Sequence, residues 1–290
     1  MKRKYLLLLL IIVFFSCKQN TKVENNELNL GTENEEFEEQ INDVYYLIPS
    51  PYEIAEYLNE NHDKINSSVL NSVTNIKKYQ FRTSQALNLG VYSADLSYLA
   101  LSGDYSNANE YFEVIGNLCN ELQIPVIEDD LLKRINNNLK NADSLQSISN
   151  ELYFNIVGFL NNNQNDKLFA LIASGFFIES LYISISIEDK FSEDNKILQR
   201  IYEQNFILSS LLTILSKYSE YKDINIIYQN LESLNIEFKK INYSKTKKTY
   251  ISVNDTIMIK GEREISLTDE NYKSIKNQIQ NSRNNFINLN

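Results

Sequence analysis

Three polar residues that could do chemistry share one face of a helix predicted over residues 81–101. Asn88, Tyr92 and Asp95 are spaced four and three residues apart, within the mostly apolar sequence ALNLGVYSADLSYL. This spacing stacks their side chains on the same side of a helix. Two interpretations stay open: the three groups satisfy one another and nearby backbone inside the core, or they line a ligand-binding cleft.

A second segment offers two further candidates for such a cleft. Glu179 and Tyr182 lie three residues apart in the strongly apolar stretch 168–187, so a helix there would place them on one face. A buried glutamate must find a partner or take up a proton, and Arg82 is a candidate partner. The ligand-binding hypothesis predicts a closed pocket near Asn88, with Glu179 inside it.

No recognised catalytic motif accompanies these residues. The only histidine, His62, follows a polar helical stretch and is expected to be solvated. A single histidine does not provide a convincing Ser/His/Asp set. No Cys/His metal-ligand spacing and no glycine-rich phosphate-binding loop is present. We predict no catalytic residue, no metal site and no cofactor. A carboxylate-based enzyme stays an open alternative, although nothing in the sequence singles out one acidic pair.

The N-terminus has the three-part layout of a secretory signal peptide. Three basic residues at positions 2–4 precede an apolar run over 5–15, and then come Ser16 and Cys17. The run is too short to span a bilayer, which needs roughly 20 apolar residues in a helix. The small residue followed by cysteine resembles the lipobox of bacterial lipoproteins, which usually carries Leu and a small residue where this chain has Phe14 and Phe15.

That resemblance implies cleavage after residue 16 and lipidation of Cys17. Position 18 is Lys rather than the Asp that retains such proteins at the inner membrane of enteric bacteria. The resemblance to the lipobox therefore implies an outer-membrane lipoprotein of the bacterial cell envelope that faces the periplasm or the cell surface. Several acyl chains would make the attachment stable, because one chain alone binds a membrane only marginally.

Charge and cysteine content exclude other classes of protein. The formal charge is −10, and removal of the three basic residues with the leader takes it to −13. An acidic chain is repelled by nucleic acid, so nucleic-acid binding is excluded. With Cys17 lipidated, Cys119 has no partner for a disulfide within the chain. We expect Cys119 to be a small buried side chain in a helix.

The chain divides into a signal peptide at 1–16, an anchor and disordered acidic tether at 17–44, and one helical domain at 45–290. The tether is predicted from its polar, acidic composition. The scarcity of Gly and Pro favours long helices. The fold class is therefore mainly all-α, a multi-helix bundle with one small C-terminal β-hairpin at about 249–260. Helices are predicted at 51–61, about 69–76, 81–101, 107–122, 128–139, 144–160, 166–187, 192–218, 223–240 and 266–286, the last with Thr268 as its cap.

The segment 168–187 could be mistaken for a transmembrane helix. Glu179 in its middle would cost a few kcal/mol of insertion free energy. We instead predict a central helix that is surrounded by the others, since a helix that is apolar on all sides is a buried one. Gly158 and Gly175 are predicted to allow close helix packing.

The helix start around Ser50 and Pro51, together with ALNLGVYSADLSY at 86–98, resembles uncharacterised helical lipoproteins of the Bacteroidetes type over residues 46–101. The resemblance implies an envelope location and a helical domain, and it implies no activity. The leading functional hypothesis is a membrane-anchored, non-enzymatic domain that binds an envelope protein or another envelope component. The alternative is a small-ligand-binding module that uses Asn88, Tyr92 and Asp95 with Glu179.

Overall fold

A computed structural model describes residues 67–102, 105–125, 133–134, 137, 141–187, 191, 196–243, 247–253, 256–262 and 265–290. The predicted leader, the lipidated Cys17, the tether and the helix at 51–61 lie outside the described residues, as does most of the helix at 128–139.

The described part of the chain contains eight α-helices. They are α1 (Arg82–Ser102), α2 (Tyr105–Leu122), α3 (Ala142–Asn162), α4 (Asp166–Ile187), α5 (Lys196–Glu203), α6 (Asn205–Ser216), α7 (Lys222–Lys239) and α8 (Asp269–Ile287). Two short 3-10 helices, Ser67–Val69 and Val73–Lys78, precede α1. The mainly all-α fold class is thereby confirmed.

The helix ends follow from local sequence. Thr268 caps α8, as predicted: its hydroxyl accepts the Asn271 N–H, and the Asn271 side chain accepts the Thr268 N–H in return. Asn141 caps α3 through its side-chain oxygen, which accepts the N–H of Ser144. The single helix predicted at 192–218 is wrong, because α5 and α6 are separate helices on either side of a turn at Gln204.

Four short strands lie between α7 and α8. β1 (Asn242–Tyr243) is paired with β4 (Ile265–Ser266), and β2 (Lys247–Val253) with β3 (Thr256–Glu262), both antiparallel. An isolated two-stranded hairpin is only marginally stable in water, so packing would have to establish it. The side chains of 242–265 lie outside the described residues. The packing of these strands lies outside the described residues, so the hairpin at 249–260 as a packed part of the domain stays a prediction.

The packing centres on α1 and α4. Helices α2 and α3 pack on α1, helices α6 and α8 pack on α4, and α7 lies against α6 and α8. Helix α4 is the one described helix that is long and apolar enough to cross a membrane, and 94% of its apolar window is buried inside the protein. Its apolar surface is therefore used by the core, as predicted.

Two glycines set the distance between the central helices. A Cβ added to Gly175 would lie 1.8 Å from the carbonyl oxygen of Leu87, and one added to Gly90 would lie 1.9 Å from that of Ile172. Each glycine thus admits the backbone of the other helix. The packing role predicted for Gly175 is confirmed. The role predicted for Gly158 is wrong, because nothing lies within 4 Å of a Cβ at that position.

Candidate functional site

The polar face of α1 is completely buried. Asn88, Tyr92 and Asp95 have no exposed surface. The Asn88 amide donates to the carbonyl oxygens of Ser84, at 2.9 Å, and Phe286, at 3.2 Å. The Tyr92 hydroxyl donates to the carbonyl oxygen of Ser72 at 2.8 Å. Two of these bonds join α1 to backbone far away in the sequence, at the end of α8 and before α1.

Glu179 is paired with Arg283 of α8 in the interior. The guanidinium donates through Nε at 3.0 Å and through Nη2 at 3.2 Å to the two carboxylate oxygens. Glu179 is fully buried, and the Arg283 side chain is 9% exposed. The Arg283 guanidinium also lies 4.5 Å from the ring centroid of Tyr182, which is a cation–π arrangement. Two-point pairing of this kind fixes both side chains.

The partner suggested for Glu179 from the sequence, Arg82, is wrong. Arg82 at the start of α1 donates instead to the carbonyl oxygen of Leu122, at the end of α2. Arg283 lies 104 residues beyond Glu179 in a polar helix. No sequence spacing connects the two residues.

Asp95 lies against this ion pair. Its Oδ2 accepts the backbone N–H of Asn71 at 3.1 Å, and Asn71 lies two residues from Val69, whose carbonyl oxygen accepts from Arg283. Among the described residues, Asp95 Oδ1 has no donor or acceptor within hydrogen-bond geometry. Burial raises the pKa of Asp95 well above its ordinary value and Glu179 raises it further, against the lowering effect of Arg283.

The glycine contact explains why these carboxyl groups meet. Asp95 follows Gly90 by five residues and Glu179 follows Gly175 by four, so each acid lies about one turn beyond the glycine of its helix. Because α1 and α4 approach closely at the glycines, side chains one turn further along are brought together. The sequence predicted that the two acids face one site, and the structure places them together.

Three further residues belong to the buried polar cluster around Asp95 and were not predicted from the sequence: Asn71, Tyr79 and Tyr111. The Asn71 amide donates to the Tyr79 hydroxyl at 3.0 Å and, in a long bond of 3.5 Å, to Asn88 Oδ1. The Tyr111 hydroxyl donates to the Asn71 carbonyl oxygen at 3.0 Å. Burial is the main cause that raises the pKa of both tyrosines, so they stay protonated donors. No helical spacing links them to α1.

The segment before α1 is not the α-helix that the sequence predicted, because side chains from other helices bond to its backbone. A helix was predicted at about 69–76, whereas Leu70–Ser72 interrupt two 3-10 helices. The backbone groups of Asn71 and Ser72 are bonded to side chains of α1 and α2. A backbone group held in that way does not take part in an α-helical ladder.

A cleft of about 310 Å³ lies beside the cluster. Its lining residues are Ser68, Leu70, Ser72, Val73, Leu99, Asn107, Glu110 and Tyr111. None of the five predicted ligand-binding residues (Asn88, Tyr92, Asp95, Glu179 and Tyr182) is among them. The closed pocket containing Glu179 that the ligand hypothesis predicted is therefore not this cleft. Ser72 and Tyr111 belong both to the cleft wall and to the hydrogen-bond network.

The arrangement favours holding a proton over catalysis. Two neighbouring carboxyl groups whose pKa values are raised by burial are typical of acid–base sites, but Asp95 and Glu179 have no exposed surface. Within the described ranges, no three His, Cys, Asp or Glu side chains are grouped to hold a metal ion.

The Cys119 thiol is buried, which raises its pKa to about 12, so it is a poor nucleophile. His62 lies outside the described residues.

Comparison with known proteins does not assign the chain to a family. No protein-family model matches the sequence, and no curated protein or solved structure shows significant similarity to it.

Proposed function

We propose that the chain is a lipoprotein of the bacterial cell envelope, anchored through Cys17, whose helical domain binds a protein or another envelope component without catalysis. The N-terminal sequence carries the proposal: basic residues at 2–4, an apolar run at 5–15, Ser16 and Cys17. Lys18 favours the outer membrane over the inner one, with the domain in the periplasm or at the surface. The resemblance to Bacteroidetes-type helical lipoproteins agrees with this location.

Features of the described domain support this assignment of the anchor. Helix α4 is used by the core, which leaves membrane attachment to the N-terminus. Cys119 is buried in α2, so it is unsuited to a disulfide with Cys17 or to lipidation. The acidic segment at 18–39 would act as a spacer between membrane and domain. The hairpin at 249–260 is proposed as a part of that domain.

A set of exposed apolar side chains supports partner binding. Phe81 is 63% exposed and Tyr221 is 47% exposed. The Thr83 hydroxyl donates to the Asp223 carboxylate, so the starts of α1 and α7 are adjacent and both aromatic residues lie at one end of the domain. Lys167 lies 4.6 Å above the Tyr221 ring. Aromatic side chains are enriched in protein interfaces relative to the rest of the surface.

The anchor is tested by replacing Cys17 with Ser in the full-length protein, with Cys119→Ser as the matched control. Cells are fed an alkyne fatty acid, and the protein is fractionated and assayed for label. We expect wild type and Cys119→Ser to be labelled and membrane-bound, and Cys17→Ser to lose the label and leave the membrane fraction. Unchanged membrane attachment and labelling of Cys17→Ser would refute the lipid anchor.

The partner-binding part is tested by placing a photo-crosslinking amino acid at Phe81 or Tyr221 in intact cells. Phe154 on α3, which is 44% exposed, serves as the control position. A discrete adduct from Phe81 and Tyr221, absent from Phe154, is expected. The same adducts from all three positions, or none, would contradict a specific interface at this end.

A small-ligand-binding module is the second candidate, using Asn88, Tyr92 and Asp95 with Glu179. The favouring observation is that the network formed by these residues reaches the 310 Å³ cleft through Ser72 and Tyr111. Envelope metabolites are screened by thermal shift, since a ligand that binds the folded state raises the melting temperature. A ligand whose shift is lost in Tyr111→Phe would support this candidate, and no shift with any metabolite would count against it.

A further inference from the structure

Six hydrogen bonds join two distant parts of the chain to each other and to helices α1 and α2. The first part is the segment 67–79 before α1, called the entry segment below, and the second is the end of α8. Arg283 Nη2 donates to the Val69 carbonyl oxygen at 3.1 Å, and Asp95 Oδ2 accepts the Asn71 N–H. The others are the bonds from Tyr92 and Tyr111 to the entry segment, from Asn88 to Phe286, and from Tyr79 to the Ile287 carbonyl oxygen at 3.2 Å.

The buried charged groups at the centre of this hydrogen-bond network carry a net negative charge unless one carboxyl group is protonated. Asp95 and Glu179 supply two carboxyl groups, and Arg283 supplies one guanidinium, which is engaged by Glu179 through two bonds. Among the described residues, Asp95 is bonded only to the Asn71 N–H through Oδ2, its Oδ1 has no partner and no cation pairs with it. A buried carboxyl group in that setting is held neutral, with a proton on it. Ionisation of both would leave one buried negative charge without a partner, which is strongly unfavourable.

We propose that Asp95, Glu179 and Arg283 form a one-proton latch. Asp95 carries the proton, the Glu179–Arg283 ion pair stays intact, and the entry segment and the end of α8 are fastened to α1 and α4. Loss of the proton from Asp95 places a second carboxylate beside Glu179, draws Arg283 away from Val69, and loosens both parts of the chain. The polar face of α1 thus holds the entry segment and the end of α8 under the control of pH.

The surroundings of Asp95 contain no other described group suited to replace this proton. Tyr92 of α1, Tyr111 of α2 and Tyr79 of the entry segment face the cluster, and burial raises the pKa of each above the ordinary tyrosine value. Helix α4 contributes Glu179 and helix α8 contributes Arg283. The tyrosines therefore stay neutral over the range in which Asp95 titrates.

The sign of the pH dependence follows. Because the pKa of Asp95 is higher in the folded chain than in the unfolded chain, the folded state binds more protons between the two values. The stabilisation that a protonated Asp95 contributes is fully present below the ordinary Asp value of 3.8 and is lost as pH rises through the folded pKa. A depressed carboxylate pKa would give the opposite slope.

The test compares full-length, detergent-solubilised wild type with Asp95→Asn. Asparagine has nearly the shape of a protonated aspartic acid, carries no charge at any pH, and keeps a side-chain oxygen for the Asn71 N–H. We expect the wild-type melting temperature to fall from pH 5 to pH 9, with amide protection lost first in 67–79 and 280–290 after correction for intrinsic exchange. Asp95→Asn should show a flatter melting curve and retain protection of both segments. Parallel pH profiles, or loss of protection spread evenly over all helices, would overturn the latch.

Two measurements keep the test decisive. The chain has one histidine, so His62→Asn as a control removes the only side chain that ordinarily titrates near pH 6.5, and the wild-type profile should persist in it. If Asp95→Asn does not fold, infrared spectroscopy of wild type answers directly. A protonated carboxyl band that persists after the ordinary carboxyl groups have ionised and disappears at higher pH supports the latch. A band that is lost completely together with the ordinary carboxyl groups refutes it.

Discussion

The contact between Gly90 and Gly175 makes a strong prediction about stability. An alanine Cβ at 175 would lie 1.8 Å from the Leu87 oxygen, whereas ordinary contact begins at 3.4 Å. The clashing atoms belong to backbone and have no rotamer to escape into. Helices α1 and α4 would have to separate locally by roughly 1.6 Å, the difference between these two distances.

The free-energy change follows from two opposing effects. Alanine is about 1 kcal/mol better than glycine inside a helix. Overpacking that moves backbone costs typically 1–3 kcal/mol and occasionally more. Since the separation also disturbs the buried Asp95–Glu179 cluster, we expect Gly175→Ala to lower the free energy of unfolding by about 3 kcal/mol. Gly158→Ala, with open space around its Cβ, should raise it by about 0.5–1 kcal/mol.

Guanidinium denaturation followed by circular dichroism measures both changes on one scale. The double variant Gly90→Ala/Gly175→Ala should cost less than the sum of its single variants, because one separation of the helices relieves both clashes. Gly175→Ala that is as stable as Gly158→Ala would refute the close approach. Strictly additive costs for the double variant would show that the two glycines do not share one contact.

The remaining predictions concern the ion pair, the buried thiol and the cap of α8. Arg283→Met should lower the free energy of unfolding by about 3–5 kcal/mol in denaturant titrations, because it leaves Glu179 buried without its partner. Arg283→Lys should also be destabilising, because a single ammonium does not reproduce the two-point pairing and the stacking on Tyr182; wild-type stability would contradict this. Cys119, with its pKa raised to about 12, should react with a thiol reagent only in denaturant, and labelling of the native protein would argue against its burial in α2. Thr268→Ala should cost about 1 kcal/mol in thermal unfolding, whereas Thr268→Ser keeps the hydroxyl and should be close to neutral.

The long helices could be predicted because their signals are local. Helix α4 begins and ends where the apolar segment at 166–187 does, and α8 begins after its predicted Thr268 cap. Such features depend on residues within one or two turns of each other. The 3-10 helices before α1 and the separation of α5 from α6 were missed. Side chains from α1 and α2 hold the entry segment, and no local pattern of residues 69–76 reports those contacts.

The same distinction between local sequence signals and tertiary contacts applies to the candidate site. The spacing of Asn88, Tyr92 and Asp95 was sufficient to place them on one face of α1, and the apolar surroundings of Glu179 indicated that it needs a partner or a proton. The choice of Arg283 instead of Arg82 depended on the position of α8. A charge in the interior requires a partner, but its identity depends on which distant segment packs nearby.

The sequence by itself determined the mainly helical fold and the burial of α4, because composition, apolar periodicity and capping act over short distances. It also predicted the lipid anchor at Cys17, which stays a prediction. Only the tertiary structure decided that the polar face of α1 binds Ser72 and Phe286 backbone instead of lining the described cleft. The physical reason is that two glycines, 85 residues apart in the sequence, bring two backbones into contact. Asp95, Glu179 and Arg283 belong to three different helices, α1, α4 and α8, so they meet only in the packed tertiary structure.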